Sequence, residues 1–328
     1  MTDPNQVIAD LIQADGGICI FDKIYLPFPH KENAPAAKFG LGAELYMPDI
    51  DRTELRERVV RYMADYCQTF PGKVDQFLPA GKRRTVKFSG DPTSLVHDDF
   101  ERIPVEEGYG SLLLGAVDLG SKKDYVDPYQ VRILINRTRE HELSSVSSTF
   151  TVCNDSGQPN FNSLLNAVLR WCAICQPIHG CAGFTFIFDT TQNSVYAMQM
   201  IKRFPGFDFQ DGGQFSLQAG PIHNRIKSIN WLTILNDALV EELGGLDDMR
   251  STLEPVCKVH EYPGGVVIQA GAYPQIGDTY RNDVPEAYRL VAHYTKPIRF
   301  ESYRSGLFRV PHNLDKGEET QAWLRRFD

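Results

Sequence analysis

The stretch IKSINWLTILNDALVEELGG, residues 226–245, constrains the fold more than any other part of the chain. Branched and aromatic residues lead up to Leu235 and predict a strand. Asn236 or Asp237 can then cap a helix, and the pair Gly244-Gly245 can end it, because glycine tolerates the backbone conformation that follows a helix C-terminus. The stretch therefore predicts a strand that turns directly into a helix. It contains no reactive set of side chains, so it predicts fold and not function.

Periodicity and turn residues predict further strands and helices along the rest of the chain. The predicted strands are 18–28, 42–47, 85–88, 110–119, 129–136, 145–152, 183–188, 256–262 and 266–270. The predicted helices are one that Asp51 caps and that runs to residue 66, then 92–100, 160–172, 194–203, 284–293 and a short one within 316–328.

This order of elements predicts an α+β fold in which mixed or antiparallel sheets are flanked by helices on one side. A chain of 328 residues is long enough to bury a large core. Turn-forming residues cluster at 154–159. We therefore expect one compact unit, and a division into two lobes, 1–155 and 156–328, would fall at that cluster.

The charge of the chain restricts its partners. It carries 34 Lys and Arg residues against 42 Asp and Glu residues, a net charge of -8. A surface of this sign repels phosphate backbones, so direct binding of nucleic acid is disfavoured. A basic protein, including one that itself binds nucleic acid, would be attracted.

Two concentrations of acidic residues are the candidate partner-binding sites. The first acidic cluster comprises Asp98, Asp99, Glu101, Glu106 and Glu107. The second acidic cluster comprises Glu241, Glu242, Asp247 and Asp248. Solvated surface is the simpler interpretation of each, but acids that face a basic partner would raise the rate of association. Phe100 and Tyr109, next to the first cluster, are expected to be exposed anchors.

The N-terminus and the cysteines indicate where the chain resides. Acids at Asp3, Asp10 and Asp15, with no basic residue before a short apolar stretch, are the reverse of a secretory signal. No apolar run approaches the length of a membrane span. Seven cysteines at irregular spacing fit a reducing compartment better than a disulfide framework. We expect a cytoplasmic protein that does not bind membranes and is monomeric when free.

One group of residues could carry chemistry: Cys172, Cys175, His179 and Cys181 lie within ten residues and could enclose zinc or form a thiol site. The competing interpretation places Cys172 and Cys175 in the apolar stripe of a helix, since buried cysteine behaves as a small hydrophobe. No HExxH, GxSxG, Walker or dinucleotide motif occurs. The residues favour a protein that is not an enzyme and holds no metal or cofactor. The alternative is a metal- or thiol-dependent enzyme that uses this group.

Three segments in the C-terminal part of the chain together resemble a known family. They are residues 226–245, RFPGFDF at 203–209, and GAYPQIGDTYRNDVPEAYRLVAHYTKPIR at 271–299. The sequence is similar to the type VI secretion immunity family, over most of the chain and most sharply from about residue 160 onward. The resemblance implies a single immunity-like domain over 1–328.

The resemblance also implies a function. Members of this family are cytoplasmic antidotes that bind a cognate effector toxin, often one with a nuclease domain, and they are not known as enzymes. We therefore expect a protein of bacterial competition that neutralises a cytoplasm-acting nuclease by protein–protein contact. No catalytic residue carries over. The matching segments contain six residues interpreted as scaffold: Trp231, Gly244, Gly245, Pro274, Gly277 and Asp278.

Overall fold

The computed structural model describes residues 17–28, 31–48, 50–115, 126–136, 143–188, 194–210, 213–219 and 224–328. Within these residues, twelve strands form one sheet. In chain order they are β1 (Tyr25–Phe28), β2 (Lys31–Met47), β3 (Gln76–Leu78), β4 (Val86–Lys87), β5 (Tyr109–Leu114), β6 (Gln130–Ile135), β7 (Ser144–Phe150), β8 (His179–Phe188), β9 (Asp208–Phe209), β10 (Leu232–Asn236), β11 (Cys257–Tyr262) and β12 (Gly265–Ala270).

The sheet is almost entirely antiparallel. Its strands follow the spatial order β11-β12-β10-β8-β2-β7-β6-β5-β3-β4, and every neighbouring pair in that order is antiparallel. Beside this path, β1 pairs antiparallel with β2, and β9 pairs parallel with β8. The predicted α+β fold with mixed or antiparallel pairing is confirmed. The sheet continues past residue 155, since β7 and β8 both pair with β2, and the division into two lobes stays a prediction.

Helices account for most of the remaining regular structure. They are α1 (Arg52–Thr69), α2 (Thr93–Glu101), α3 (Phe161–Cys175), α4 (Met198–Arg203), α5 (Gln214–Ala219), α6 (Asp237–Glu242), α7 (Leu246–Leu253), α8 (Glu286–Tyr294) and α9 (Lys316–Leu324). The predicted cap of α1 is confirmed, because an Asp51 side-chain oxygen accepts hydrogen bonds from the backbone N–H groups of Thr53 and Glu54, both at 3.0 Å. None of these helices is both long and apolar enough to cross a lipid bilayer.

Helices cover both faces of the sheet, whereas one face was expected. Phe161 of α3 contacts Phe184, with ring centroids 5.9 Å apart, and Phe184 is the register partner of Leu41. Phe215 of α5 contacts Tyr46, with centroids 4.8 Å apart. Side chains alternate along a strand, so positions 41 and 46 of β2 face opposite sides. The α3 face and the α5 face are therefore both packed. Helical periodicity predicts which side of a helix is buried, but it does not predict which face of a sheet that side meets.

A disulfide bond joins Cys19 to Cys153. It ties the short 3-10 helix Ile18–Asp22 to the segment just after β7, where the Asp22 carboxylate accepts hydrogen bonds from the N–H groups of Val152 at 2.7 Å and Cys153 at 2.9 Å. The disulfide bond differs from the expectation of reduced cysteines. The predicted strand 18–28 is also only partly correct, because residues 18–22 form a 3-10 helix and the strand begins at Tyr25. The two cysteines are 134 residues apart, so only the tertiary fold brings them together. Asp3, Asp10, Asp15 and residues 116–119 lie outside the described residues.

Candidate functional site

The second acidic cluster lies on two short helices at the β11 end of the sheet. The chain leaves β10 and enters α6 at once, and Asn236 Oδ1 caps this helix by accepting a hydrogen bond from the Leu239 N–H at 3.0 Å. Gly244 and Gly245 then have φ angles of 105° and 89°, a conformation that favours glycine, and they redirect the chain into α7. The predicted strand, cap, helix and stop of residues 226–245 are confirmed, and the regular strand begins at Leu232.

α7, which carries half of the second acidic cluster, is not among the helices predicted from the sequence. Its signal was present: Asp247 and Asp248 lie in the first turn, where acids favour a helix, and Met249 and Leu253 are buried one turn apart. Glu241, Glu242, Asp247 and Asp248 are all exposed. We call the surface formed by α6 and α7 the acidic helix pair.

The acidic helix pair keeps most of its negative charge. Glu242 forms an ion pair with Arg225 at 3.0 Å, and Asp248 accepts a hydrogen bond from the Tyr294 hydroxyl at 3.2 Å. Asp237, Glu241 and Asp247 form no ion pair with any described residue. α7 also carries Arg250, which is partly exposed and forms an ion pair with Glu261 at 2.6 Å. The surface is therefore exposed and predominantly negative.

The first acidic cluster is divided between the surface and the interior. Asp98, Glu101, Glu106 and Glu107 are exposed, whereas Asp99 is only 2% exposed. Asp99 Oδ2 accepts hydrogen bonds from the Ala80 N–H at 2.9 Å and the Tyr109 hydroxyl at 3.0 Å, and its other oxygen pairs with Arg102. Asp99 thus holds α2 against the segment after β3 and against β5.

Phe100 and Tyr109 are buried, and the expectation of exposed anchors is wrong. Phe100 is 6% exposed and Tyr109 is 1% exposed, and their ring centroids lie 4.4 Å apart. The Arg56 guanidinium of α1 lies 5.0 Å from the centre of the Phe100 ring. The polar neighbours in the sequence suggested exposure, but α2 packs on α1 and turns these rings into the core.

Basic residues share a cavity with part of the first acidic cluster. Asp98, Asp99 and Arg102 line a surface cavity of about 600 Å³ together with Lys82, Arg83 and Arg84, the basic run that the sequence placed in a solvated turn. Charges of both signs therefore line that cavity. The strand order places this cluster and the acidic helix pair near opposite ends of the sheet, on the order of 30 Å apart at the usual spacing of strands.

Cys172, Cys175, His179 and Cys181 are all buried, and the sheet separates them into two pairs. Cys172 and Cys175 belong to α3, on the α3 face. The His179 ring stacks on Tyr46, 4.7 Å away, and so lies on the α5 face, as does Cys181 two residues later. The four side chains do not meet around one point. No group of three or more His, Cys, Asp or Glu side chains among the described residues could hold a metal ion.

Burial also sets the protonation of these groups. It raises the pKa of the Cys172 thiol well above its ordinary value and that of Cys175 to about 12, so both stay protonated at neutral pH. It lowers the pKa of His179 to about 3, and the nearby Lys227 charge acts in the same direction. Protonated thiols are weak nucleophiles and weak metal ligands.

A buried charged group on the α5 face was not predicted from the sequence. Lys227 Nζ lies 2.6 Å from a Glu44 oxygen, 2.8 Å from the Phe209 carbonyl oxygen and 3.8 Å from an Asp208 oxygen. The Cys181 thiol donates to Asp208 at 2.9 Å. The cavity beside these residues measures about 10 Å³, room for about one water molecule, so the arrangement is structural.

Two of the residues interpreted as scaffold hold the C-terminal part together. Asp278 receives two parallel hydrogen bonds from Arg203, at 3.0 and 2.8 Å, and both side chains are buried. The Trp231 Nε1–H donates to the Gly271 carbonyl oxygen at 3.1 Å. These contacts link the three segments that carry the family resemblance.

Known proteins resemble this chain in sequence and in fold. The sequence model of the family described as TsiV, type VI immunity for VRR-NUC, matches residues 59–327. The solved structure of the Pseudomonas aeruginosa T6SS protein PA0821 superposes with a TM-score of 0.76; it is 24% identical, and the match covers 99% of this chain and 91% of that one. No curated protein sequence gives a significant match. At this identity, the structural match shows a shared fold.

Proposed function

Because the chain belongs to the TsiV family of type VI immunity proteins for VRR-NUC, we propose that it neutralises its cognate nuclease effector by direct, non-catalytic binding. The effector acts in the cytoplasm under this proposal, and the antidote meets it there as a monomer. The thiols of Cys172 and Cys175 are buried and stay protonated at neutral pH, which disfavours the alternative of a thiol-dependent enzyme that uses them.

The acidic helix pair is the observation that carries the proposal. A nuclease must attract phosphate groups, so its substrate surface is basic. The acidic helix pair offers a complementary surface, exposed and predominantly negative, on helices whose ends are fixed by Asn236 and by the two glycines. Charge complementarity of this kind raises the rate of encounter and fixes the orientation of the partners.

The two acidic clusters do not contribute equally under this proposal. Asp98 of the first cluster shares a cavity with the basic side chains of Lys82, Arg83, Arg84 and Arg102, which weaken the field that it projects. Asp99 is buried and unable to touch a partner. We assign the principal contact to Glu241, Glu242, Asp247 and Asp248, with a minor role for the exposed acids of the first cluster.

Charge reversal in each cluster tests this assignment. The double substitution Glu241→Lys with Asp247→Lys should lower the rate constant for association with the purified effector about tenfold at low salt, and more protein should be needed to stop DNA cleavage. The matched control is Asp98→Lys with Glu106→Lys, which also reverses two exposed acids and should change the rate less than about threefold. Equal effects from the two variants, or no effect from the first, would refute the assignment.

A further inference from the structure

A cationic loop borders the last strand of the sheet. Lys82, Arg83 and Arg84 follow β3 and precede β4, and all three are exposed. None of them forms an ion pair with a described residue. A local concentration of positive charge in a chain with a net charge of -8 attracts a ligand of the opposite sign from that attracted by the acidic helix pair.

Hydrogen bonds hold this loop in place. The Lys82 N–H donates to the Pro79 carbonyl oxygen at 3.1 Å, and the Ala80 N–H donates to Asp99 of α2. The Thr85 hydroxyl donates to Gln76 Oε1 at 2.8 Å, which fixes the other end of the loop to β3. The cations are therefore presented from an ordered backbone, and a ligand would lose little loop entropy on binding.

The loop forms the rim of the cavity of about 600 Å³ described above, which we call the β4 cavity. Phe77, Val86 and Leu95 give it an apolar lining. Asp98 is the exposed carboxylate that lines it, whereas Asp99 is buried and paired with Arg102. Three cations thus face one exposed acid, and a volume of this size holds one or two side chains of a ligand.

The edge of the sheet adds a third element of recognition. β4 is the last strand in the spatial order, and no described strand lies beside its outer edge. Both of its residues are exposed, Val86 at 44%. An unpaired edge offers backbone N–H and C=O groups to an extended segment of another protein.

We propose that the β4 cavity binds an extended acidic segment of a protein partner that carries one apolar side chain. The apolar side chain enters between Phe77 and Leu95, its flanking carboxylates pair with the cationic loop, and its backbone aligns with β4. This surface is independent of the acidic helix pair, which lies at the other end of the sheet.

A labelled peptide tests the proposal directly. The probe is a fluorescein-labelled peptide of seven residues, Asp and Glu throughout with one central Leu, measured by fluorescence anisotropy at low salt. The wild-type chain should bind it, and Arg83→Glu with Arg84→Glu should weaken binding at least about tenfold. Lys258→Glu reverses an exposed cation at the opposite edge and is the matched control, expected to bind as the wild type does.

Other outcomes would overturn the proposal. Equal binding by the wild type and the Arg83→Glu, Arg84→Glu variant would show that the cationic loop is not the site. If a peptide with Gly in place of Leu bound equally well, the apolar lining of the β4 cavity would make no contribution to binding. Saturable binding of a short oligonucleotide, without binding of the peptide, would show that the partner is a nucleic acid and not a protein. Glu241→Lys with Asp247→Lys should leave peptide binding unchanged, so failure here and failure of the proposed function are distinguishable.

Discussion

Lys227 shows at the scale of a single residue how the fold sets the chemistry of a side chain. It lies next to the apolar Ile226 in the sequence, yet it is 1% exposed and paired with Glu44. The sequence could not reveal this pair, because the partners are 183 positions apart and meet only when β2 and the segment before β10 face one another. Local pattern predicts burial of apolar residues far better than burial of a matched pair of charges.

Removing this buried cation should destabilise the protein strongly. Lys227→Met leaves the Glu44 carboxylate buried without its cation, and we expect a loss of about 3–5 kcal/mol in the free energy of unfolding, measured by urea titration. The control is Lys73→Met, whose partner Asp155 is exposed, with an expected loss below about 1 kcal/mol. Adding Glu44→Gln to Lys227→Met should restore part of the loss; similar losses from the two single variants would contradict the argument.

Asp127 should make stability depend on pH. Burial raises the pKa of this carboxyl to about 6, although it accepts a hydrogen bond from the Tyr129 N–H. The folded pKa exceeds the unfolded value, so the stabilisation from protonated Asp127 is present below about pH 4 and is lost as pH rises through about 6. Asp127→Asn keeps the acceptor and should gain on the order of 2 kcal/mol of stability relative to wild type between pH 4 and pH 7.

Urea unfolding of both proteins at pH 4, 5, 6 and 7 measures this difference directly. Subtracting the wild-type curve from that of the variant removes the contributions of the other carboxyl groups, which the two proteins share. A difference that does not change with pH would mean that Asp127 titrates alike in the folded and unfolded chains.

At the scale of elements, signals confined to a few residues predict the structure correctly. The caps Asp51 and Asn236 and the hairpin of β11 and β12 were all predicted, since each depends on neighbours within one turn. Two features that depend on distant partners were missed. The start of β8 at His179 follows from pairing with β2 and β10, and the burial of Phe100 follows from packing of α2 on α1.

The cap of α6 connects stability with the proposed binding surface. Asn236→Ala removes the acceptor for the Leu239 N–H and should lower the free energy of unfolding by about 1 kcal/mol. It should also slow association with the effector, because the acidic helix pair loses its fixed starting point. Asp315→Ala removes the equivalent cap of α9, at Glu318, and is the matched control.

Equal loss of stability in these two variants, with slower association for Asn236→Ala alone, is the expected pair of results. Thermal unfolding and stopped-flow fluorescence measure them on the same samples. Slower association for Asp315→Ala as well would show that general loosening, and not the position of α6, controls the encounter.

At the scale of the whole molecule, the distribution of charge matters more than its sum. The net charge of -8 predicts attraction to a basic partner, but composition does not show how basic residues are placed around each acidic cluster. Lys82, Arg83 and Arg84 share a cavity with Asp98 of the first cluster, whereas Arg225 and Arg250 beside the second are each engaged in an ion pair. That distinction depends on which loops the fold places side by side. The sequence therefore predicts which acidic residues could bind a partner, but deciding which of the two clusters is the better candidate requires the structure.

Salt should affect the rate of association with the effector far more than the rate of dissociation. Raising ionic strength from about 20 to about 200 mM should lower the association rate constant about tenfold, since exposed charges are screened beyond a Debye length. The Glu241→Lys, Asp247→Lys variant should show a shallower dependence on salt. An association rate that is flat with ionic strength would remove the electrostatic part of the proposal.

The position of β2 has a consequence for how the protein is made. This strand is translated early, but its partner β8 comes more than a hundred residues later, and β10 and β12 follow only after that. A nascent chain on the ribosome cannot complete its central sheet until most of the polypeptide has emerged, and sheets built from such distant pairings form slowly. Under the proposed function, protection of a cell would therefore come from molecules that finished folding before the effector arrived.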